Sequence, residues 1–468
     1  MPPEFSAQAL ERLATPRSIL VERAIRDRDR DQLTELADDV RAETGAVYGA
    51  MQNYLASLQT DILRAGGRAA HDRGVALACD HALRPVVREL TRASFAARIT
   101  ALIRMLRASG SEFTVHEDAA AVTIRAAQWG PARPVTPPAA VLTDSSYVTG
   151  GYQHLPCTLA LEVMLLLVLP VEEWGEPWAV PAFPADWSDP VLLTLYKDPA
   201  DVPAAVYDQI QLARPATPVR GPAGERVLSG GDTERAPVRR DVLLRRAAKS
   251  GEYSLAQLAA RTLDADLSAY EGPLTLFVTS LLTFVARTFG ESEVVAYLER
   301  PVRLGMAGTI QRWPGLSPRD RVELLAMFWR AHGSTFWIDE YDDHFLVHGL
   351  PLGACHRLWW ARYEPRIRRI SPDRIRYPTY GAYTGPAGLA LLRESRAVTC
   401  GQRNYPIYSA RCHLAHEILP IRELGFPLWA ERHPVDDPRA ETSHLVMKDD
   451  SRWPAWVLDR LKEGTADG

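Results

Sequence analysis

The sequence has few cysteines and lacks the patterns of a membrane or secreted protein. Its five cysteines are odd in number and widely spaced, which argues against a disulfide scaffold and for a reducing cytoplasm. The longest apolar run, VMLLLVLPV at residues 163–171, is too short to span a bilayer, and no signal peptide precedes the first helix-like segment. We therefore expect a cytoplasmic protein with no membrane partner.

The sequence also lacks a charge imbalance and the common catalytic motifs. A formal net charge of −4 gives no reason to expect a nucleic-acid partner. We find no glycine-rich phosphate or dinucleotide loop, no H-E-x-x-H, no G-x-S-x-G and no C-x-x-C. No nucleotide cofactor is therefore expected. The Ala-, Arg- and Pro-rich composition suggests a bacterial source.

What the sequence does contain is an internal similarity. RASGSEFTVHEDAAAVTI at residues 107–124 matches RAHGSTFWIDEYDDHFLV at residues 330–347 without a gap, at an offset of 223. LVERA at residues 20–24 and LLRRA at residues 243–247 share that offset. Three later pairs follow in the same order: CTLALE with CHLAHE, LPVEEWGEP with LPIRELGFP, and YKDPADVPAAVYDQI with MKDDSRWPAWVLDRL. These pairs indicate a tandem duplication.

The duplication predicts an α+β fold. Each copy of roughly 200–230 residues opens with helical periodicity and continues with a β-branched and aromatic segment that is typical of a hairpin. A helix, a Gly-Pro turn, a strand ending in Lys-Asp and a last helix after a proline follow. We expect N-terminal helices, a small sheet and a covering helix in each copy. The copies are predicted to pack as an intramolecular pseudo-dimer, with a further homo-oligomer left open.

The predicted domain boundaries follow from this comparison. Residues 1–17 form an N-terminal extension and residues 18–214 the first repeat, interpreted as a degenerate scaffold. Residues 215–240, rich in Pro, Gly and charge, read as a linker. Residues 241–468 form the second repeat, the candidate active-site domain, with an insertion around residues 357–390.

The stretch RCHLAHEILP contains the main candidate site. On a helix, Cys412 and His416 share one face, and His413 and Glu417 share the next. Cys412 and His416 are candidate zinc ligands, completed by Cys400 or Cys355, or else a thiolate paired with its base. Glu417 is expected to orient His413. Matching CHLAHE to CTLALE makes both histidines specific to the second repeat and leaves Cys and Glu shared. The competing interpretation is an ordinary packed helix.

Further candidates lie before this helix. Cys355 and His356 follow a glycine-containing loop, where a helix dipole would favour a thiolate, and they are candidate catalytic residues together with His413 and Glu417. The insertion supplies guanidinium groups for an anion and aromatic walls for an apolar part. The predicted substrate-binding residues are Arg357, Trp359, Arg362, Arg366, Arg368 and Tyr380. A solvated basic surface is the competing interpretation.

These residues predict an enzyme that acts on an anionic small molecule. The reaction expected at the Cys/His site is hydrolysis, elimination or group transfer, which makes the protein a hydrolase or lyase that depends on a thiol or on zinc. The alternative is a non-catalytic module that binds a ligand or a metal. A scaffold protein that contacts an acidic partner through the arginines is a third hypothesis.

Overall fold

The computed structural model organises the chain as two compact units. Unit A comprises residues Ile25–Phe277, and unit B comprises Met1–Ala24 together with Val278–Gly468. The structure describes residues 3–128, 161–184, 189–216, 223, 227–228, 235, 237–334, 336–349, 389–394, 396–399, 403, 405–432 and 442–464.

Helices make up most of the described residues. In chain order they are α1 Ala7–Ala14, α2 Arg17–Asp27, α3 Arg30–Ala78, α4 Arg84–Glu89, α5 Phe95–Ala108, α6 Leu169–Trp174, α7 Ala204–Ile210, α8 Arg240–Ser250, α9 Tyr253–Thr288, α10 Glu293–Arg312, α11 Pro318–Ala331, α12 Ser409–His413, α13 Leu419–Leu424 and α14 Ala455–Gly464. None of the helices in the described part of the chain is long and apolar enough to cross a bilayer.

Each unit contains a four-stranded antiparallel sheet. The strands are β1 Glu112–Glu117, β2 Ala121–Gln128, β3 Val180–Ala182, β4 Val191–Tyr196, β5 Phe336–Glu340, β6 His344–Gly349, β7 Leu391–Leu392, β8 Tyr405–Pro406, β9 Ala430–Arg432 and β10 Thr442–Met447. Sheet A, in unit A, has the order β1-β2-β4-β3, and sheet B, in unit B, has the order β5-β6-β10-β9. Strands β7 and β8 form a separate pair.

The predicted α+β class is confirmed, as are its local elements. The two predicted hairpins are β1–β2 and β5–β6. The strands before Lys197 and Lys448 are β4 and β10, and the helices after Pro203 and Pro454 are α7 and α14. Sheet A buries alternate residues, among them Ile124 and Leu193, because successive side chains of a strand point to opposite faces.

A π-helical turn precedes α6 in unit A and α13 in unit B. These turns span Met164–Val168 and Leu414–Ile418. Proline explains the irregularity, because Pro170 and Pro420 have no N–H for the carbonyl four residues earlier. The carbonyl oxygen of Leu166 accepts from Trp178 N at 2.8 Å instead, and that of His416 from Leu428 N at 2.8 Å.

Glycine ends both short helices that follow the π turns. Gly175 and Gly425 take left-handed backbone angles, with φ of 75° and 87°. Glycine adopts this region without a steric penalty, so the chain turns sharply into the next strand. After each turn, the chain runs back past the preceding π turn and enters β3 or β9.

Two further side chains are largely removed from solvent. The side chain of Glu340, at the end of β5, is 7% exposed and lies 2.6 Å from Lys448 Nζ. Leu228, within the predicted linker, is 7% exposed, and the linker itself remains a prediction. The outer boundaries predicted for the two repeats remain predictions.

Candidate functional site

The candidate site lies on the irregular helix of unit B. His413 ends α12, and His416 and Glu417 lie in the π turn that follows, with exposed fractions of 0%, 3% and 3%. Apolar neighbours such as Leu414 and Leu419 anchor the same segment in the core. The helix therefore holds three ionisable groups away from water.

His413 has a polar partner at each ring nitrogen. Its Nδ1 lies 3.1 Å from Glu417 Oε1, which is the contact predicted from their spacing. Its Nε2 lies 2.7 Å from the hydroxyl of Tyr405 on β8. The carboxylate of Glu431 is 3.8 Å from the same nitrogen. His413 is thus fixed between a carboxylate and a phenol.

Glu431 on β9 connects the remaining members of the cluster. Its Oε1 lies 3.1 Å from His416 Nδ1 and 3.2 Å from Nε2 of His444, which faces it across the β9–β10 pair. The backbone N–H of Glu431 donates to Glu417 Oε1 at 2.7 Å. We call Tyr405, His413, His416, Glu417, Glu431 and His444 the His–Glu cluster.

Aromatic side chains enclose the cluster. The ring centroid of His416 is 4.0 Å from that of Trp429 and 5.6 Å from that of Phe328 on α11. Trp329 packs edge-on against His444 at 4.4 Å. These rings exclude water and strengthen the electrostatic interactions inside the cluster.

Burial shapes the protonation of His416. Removal from water lowers the pKa of His416 below its usual value, although the hydrogen bond and charge of Glu431 oppose the shift. The charges of His444 and Arg411 lower this pKa further. A neutral His416 that donates from Nδ1 to Glu431 carries its lone pair on Nε2, the tautomer that suits a general base or a ligand.

The structure describes only four of the residues predicted for the site. His413, His416 and Glu417 belong to the cluster, and Cys412 precedes them at intermediate exposure. The following predicted residues lie outside the described residues: Cys355, His356, Arg357, Trp359, Arg362, Arg366, Arg368, Tyr380 and Cys400. Their predicted roles, and the predicted insertion, remain predictions.

The metal prediction also remains open. Within the part of the chain that the structure describes, no group of three or more His, Cys, Asp or Glu residues is arranged to hold a metal ion. The predicted ligand set of Cys412, His416 and Cys400 includes a residue outside that part.

The sequence match used for RCHLAHEILP needs a five-residue correction. It paired Glu417 with Glu162 and His416 with Leu161. The π turns and the Trp178 and Leu428 hydrogen bonds instead place His416 opposite Leu166, at an offset of 250. Glu417 then corresponds to Leu167, so it is not shared between the halves.

The corrected register separates the two units chemically. Five positions that carry the cluster in unit B, all but that of Tyr405, correspond to apolar, buried residues of unit A. The pairs are His413 with Val163, His416 with Leu166, Glu417 with Leu167, Glu431 with Pro181, and His444 with Leu193. Trp429, which packs against the imidazole of His416, corresponds to Ala179 in unit A.

Sequence reasoning missed Tyr405, Glu431 and His444. They lie on three separate strands, and no local motif joins them to the helix. A signal existed in the replacement of Pro181 by Glu431 and of Leu193 by His444 at buried strand positions. It becomes visible only with the correct register.

Comparison with known proteins adds no relative. No protein-family model, curated protein or solved structure matches the chain.

Proposed function

We propose that the chain is an enzyme whose active site is built around the His–Glu cluster of unit B. The observation that carries this proposal is the replacement of five apolar core positions of unit A by three histidines and two glutamates in unit B. Buried ionisable groups cost stability, so such an ensemble without a structural need is typical of a functional site. The proposed substrate remains an anionic small molecule.

The geometry supports acid–base chemistry with distinct roles. We assign His416 as the general base, because its Nδ1 contacts Glu431 and its low pKa favours the neutral imidazole. Glu431 orients His416 and stabilises the imidazolium that forms during the reaction. His413, held by Glu417, is placed to exchange a proton with the hydroxyl of Tyr405.

The reaction classes are hydrolysis, elimination and group transfer. Each requires a proton to be removed from water or from the substrate and another to be delivered to a leaving group. We propose that Cys355, His356 and the arginines of the insertion bring the nucleophile and the anion-binding groups, as their sequence context predicts. Zinc held by Cys412, His416 and Cys400 is the metal-dependent form of the proposal.

We further propose that the two halves of the chain arose by duplication and form an intramolecular pseudo-dimer. The equal strand orders of sheets A and B support this, as do the paired π turns and the constant offset between the early blocks. In this account the first half is the scaffold and the second half carries the chemistry.

Binding without turnover is the second candidate. The cluster residues of unit B are at most 3% exposed, which also suits a site that is sealed around a ligand or a metal. Histidine ligands of zinc are commonly oriented by donating their second ring N–H to a carboxylate, which is the arrangement seen in the cluster.

The test compares wild type with His416→Leu, which installs the residue of unit A. The probes are p-nitrophenyl phosphate, p-nitrophenyl sulfate and a defined mixture of phosphate esters and carboxylic acids followed by ¹H and ³¹P NMR. We expect His416→Leu to lower kcat about 10²- to 10⁴-fold for the compound that wild type consumes. Leu166→Ile is the matched control and should retain full activity.

Two results would reject the acid–base proposal. One is an unchanged rate in folded His416→Leu protein. The other is saturable binding of a probe with no turnover, which would favour the binding module. Metal analysis of protein purified without chelator separates the zinc-dependent form from the metal-free one.

A further inference from the structure

Sheet B binds the start of the chain through one carboxylate. Glu340, the last residue of β5, accepts hydrogen bonds from the backbone N–H groups of Glu4 at 2.6 Å and Phe5 at 3.1 Å. Lys448 Nζ lies 2.6 Å from the same carboxylate. Burial opposes the ionisation of Glu340, but Lys448 and the two amides outweigh it and lower the pKa.

Sheet A contains the same arrangement. Glu117, the last residue of β1, accepts from the backbone N–H groups of Val227 at 2.6 Å and Leu228 at 2.9 Å. Lys197 Nζ lies 2.8 Å away. Burial again opposes ionisation, and Lys197 with the two amides again lowers the pKa of the carboxylate. We call each Glu–Lys pair a clamp.

The segments that the clamps hold correspond position by position. We call residues 3–24 the first arm and residues 227–250 the second arm. Glu4 and Val227, like Phe5 and Leu228, differ by the same 223 positions that separate the two clamp glutamates. Further along, the two arms bury equivalent residues in their helices, namely Leu20, Val21 and Ala24 in the first and Leu243, Leu244 and Ala247 in the second.

Each arm docks on the sheet that does not follow it along the chain. The first arm is followed by sheet A but binds sheet B, 336 residues beyond Glu4. The second arm is followed by sheet B but binds sheet A, 110 residues before Val227. Both contacts lie within a single unit, since each unit contains one arm and the sheet that receives it.

We infer that the clamps are two copies of one peptide-recognition site and that the arms are exchanged reciprocally between the halves. The site accepts a segment whose two successive backbone N–H groups point at one carboxylate, and whose second residue carries a large, buried apolar side chain. It reads main-chain groups, because Glu4 and Val227 have unlike side chains. Proline at either position would remove a donor and is excluded.

In unit B the recognition includes a buried aromatic side chain. Phe5 is 5% exposed and packs edge-on against Phe345, with ring centroids 5.9 Å apart. The guanidinium of Arg319 lies 4.8 Å from the Phe5 centroid. Burial of an aromatic ring adds affinity that two shared amide hydrogen bonds do not provide alone.

Cleavage of the folded full-length chain tests the exchange. A protease site replaces residues 217–222 and is cut after folding. One fragment then contains the first arm and sheet A, and the other contains the second arm and sheet B. We expect the two fragments to co-elute at 1 μM, because each arm is docked on a sheet of the other fragment. In Glu117→Ala/Glu340→Ala the dissociation constant should rise at least 100-fold. His116→Ala/Asp339→Ala, at matching exposed positions of β1 and β5, is the control and should dissociate as wild type.

Hydrogen exchange in the uncut chain provides a second, conservative test. The amides of Glu4, Phe5, Val227 and Leu228 should be protected in wild type. Glu340→Gln should accelerate exchange at Glu4 and Phe5 at least 10-fold and leave Val227 and Leu228 unchanged. Separation of the wild-type fragments, equal affinity of the clamp and control variants, or unaltered exchange in Glu340→Gln would each overturn the inference. This test is independent of any enzymatic activity.

Discussion

The two π turns present one backbone solution with opposite side chains. In both units a proline frees a carbonyl, and an N–H of the chain that returns toward the next strand captures it. In unit A the surrounding positions are apolar, and in unit B they carry the His–Glu cluster. The comparison shows that this fold does not require the cluster. The ionisable side chains of the cluster need hydrogen-bonding partners, which the apolar side chains of unit A do not need.

The two versions differ in what their stability depends on. Leu166 and Leu193 stabilise unit A by burial of apolar surface, and this stabilisation does not depend on the direction of individual contacts. His416 and His444 share one carboxylate, that of Glu431. A buried polar network is stable only when its members are paired, so the loss of one member affects the others.

Removal of Glu431 should have the largest effect. Glu431→Ala leaves the imidazoles of His416 and His444 without their shared acceptor in the core, which should cost about 3–5 kcal/mol. Urea denaturation measures the loss. Pro181→Ala at the equivalent position of β3 is the control, with less than about 1 kcal/mol expected because no polar partner is lost. A cost for Glu431→Ala as small as that of the control would contradict the central role of this carboxylate.

Installing a histidine alone in unit A should have the next largest effect. Leu166→His places an imidazole among apolar residues without a carboxylate and should cost about 2–4 kcal/mol. Adding Pro181→Glu should recover at least about 1 kcal/mol, because the new carboxylate lies where Glu431 lies in unit B. Thermal or urea unfolding of both variants gives the coupling energy, and a coupling of zero would break the equivalence of the two sites.

The clamps should behave alike, in contrast to the π-turn regions. Glu117→Gln and Glu340→Gln each weaken the interaction with a buried lysine, at an expected cost of about 1–2 kcal/mol. The two values should agree within about 0.5 kcal/mol in urea denaturation. A large difference would mean that the clamps, like the His–Glu cluster, have diverged.

The pH dependence should show the smallest effect. Because the pKa of His416 is lowered on folding, the unfolded chain binds the proton first as the pH falls. The contribution of His416 is therefore fully present above its unfolded value of 6.5 and is lost as the pH falls from there toward the folded pKa. The slope is at most about 1.4 kcal/mol per pH unit. The free energy of unfolding of wild type and His416→Leu, measured from pH 5 to 8, isolates the contribution of His416. The same pH dependence in both proteins would contradict the lowered pKa.

The sequence predicted the elements better than the register that joins them. Hairpins and terminal helices follow from alternation, glycine and proline, which act locally and are visible in the chain. The pairing of Glu417 with Glu162 failed because matching letters outweighed the geometry set by Pro170 and Pro420. Those two prolines fix where the π turns fall, so they mark the register better than the matching glutamates do.

The cluster was only partly predictable for a related reason. His413 and Glu417 are four residues apart, and helical spacing was sufficient to predict their contact. Glu431 reaches His416 and His444 only after α13 has turned the chain and β9 has paired with β10. Such contacts depend on tertiary structure, which spacing alone does not encode. The clamps were missed because their ligands are backbone amides, which any residue except proline provides.

The proline-driven π turn has a consequence for protein engineering. Since unit A already holds the backbone positions of five cluster members, all but Tyr405, those five can be transplanted by exchanging side chains. The graft comprises Val163→His, Leu166→His, Leu167→Glu, Pro181→Glu and Leu193→His, with Ala179 retained small or enlarged to match Trp429. Unit A thus provides an apolar version of the site, into which the ionisable groups can be introduced one at a time.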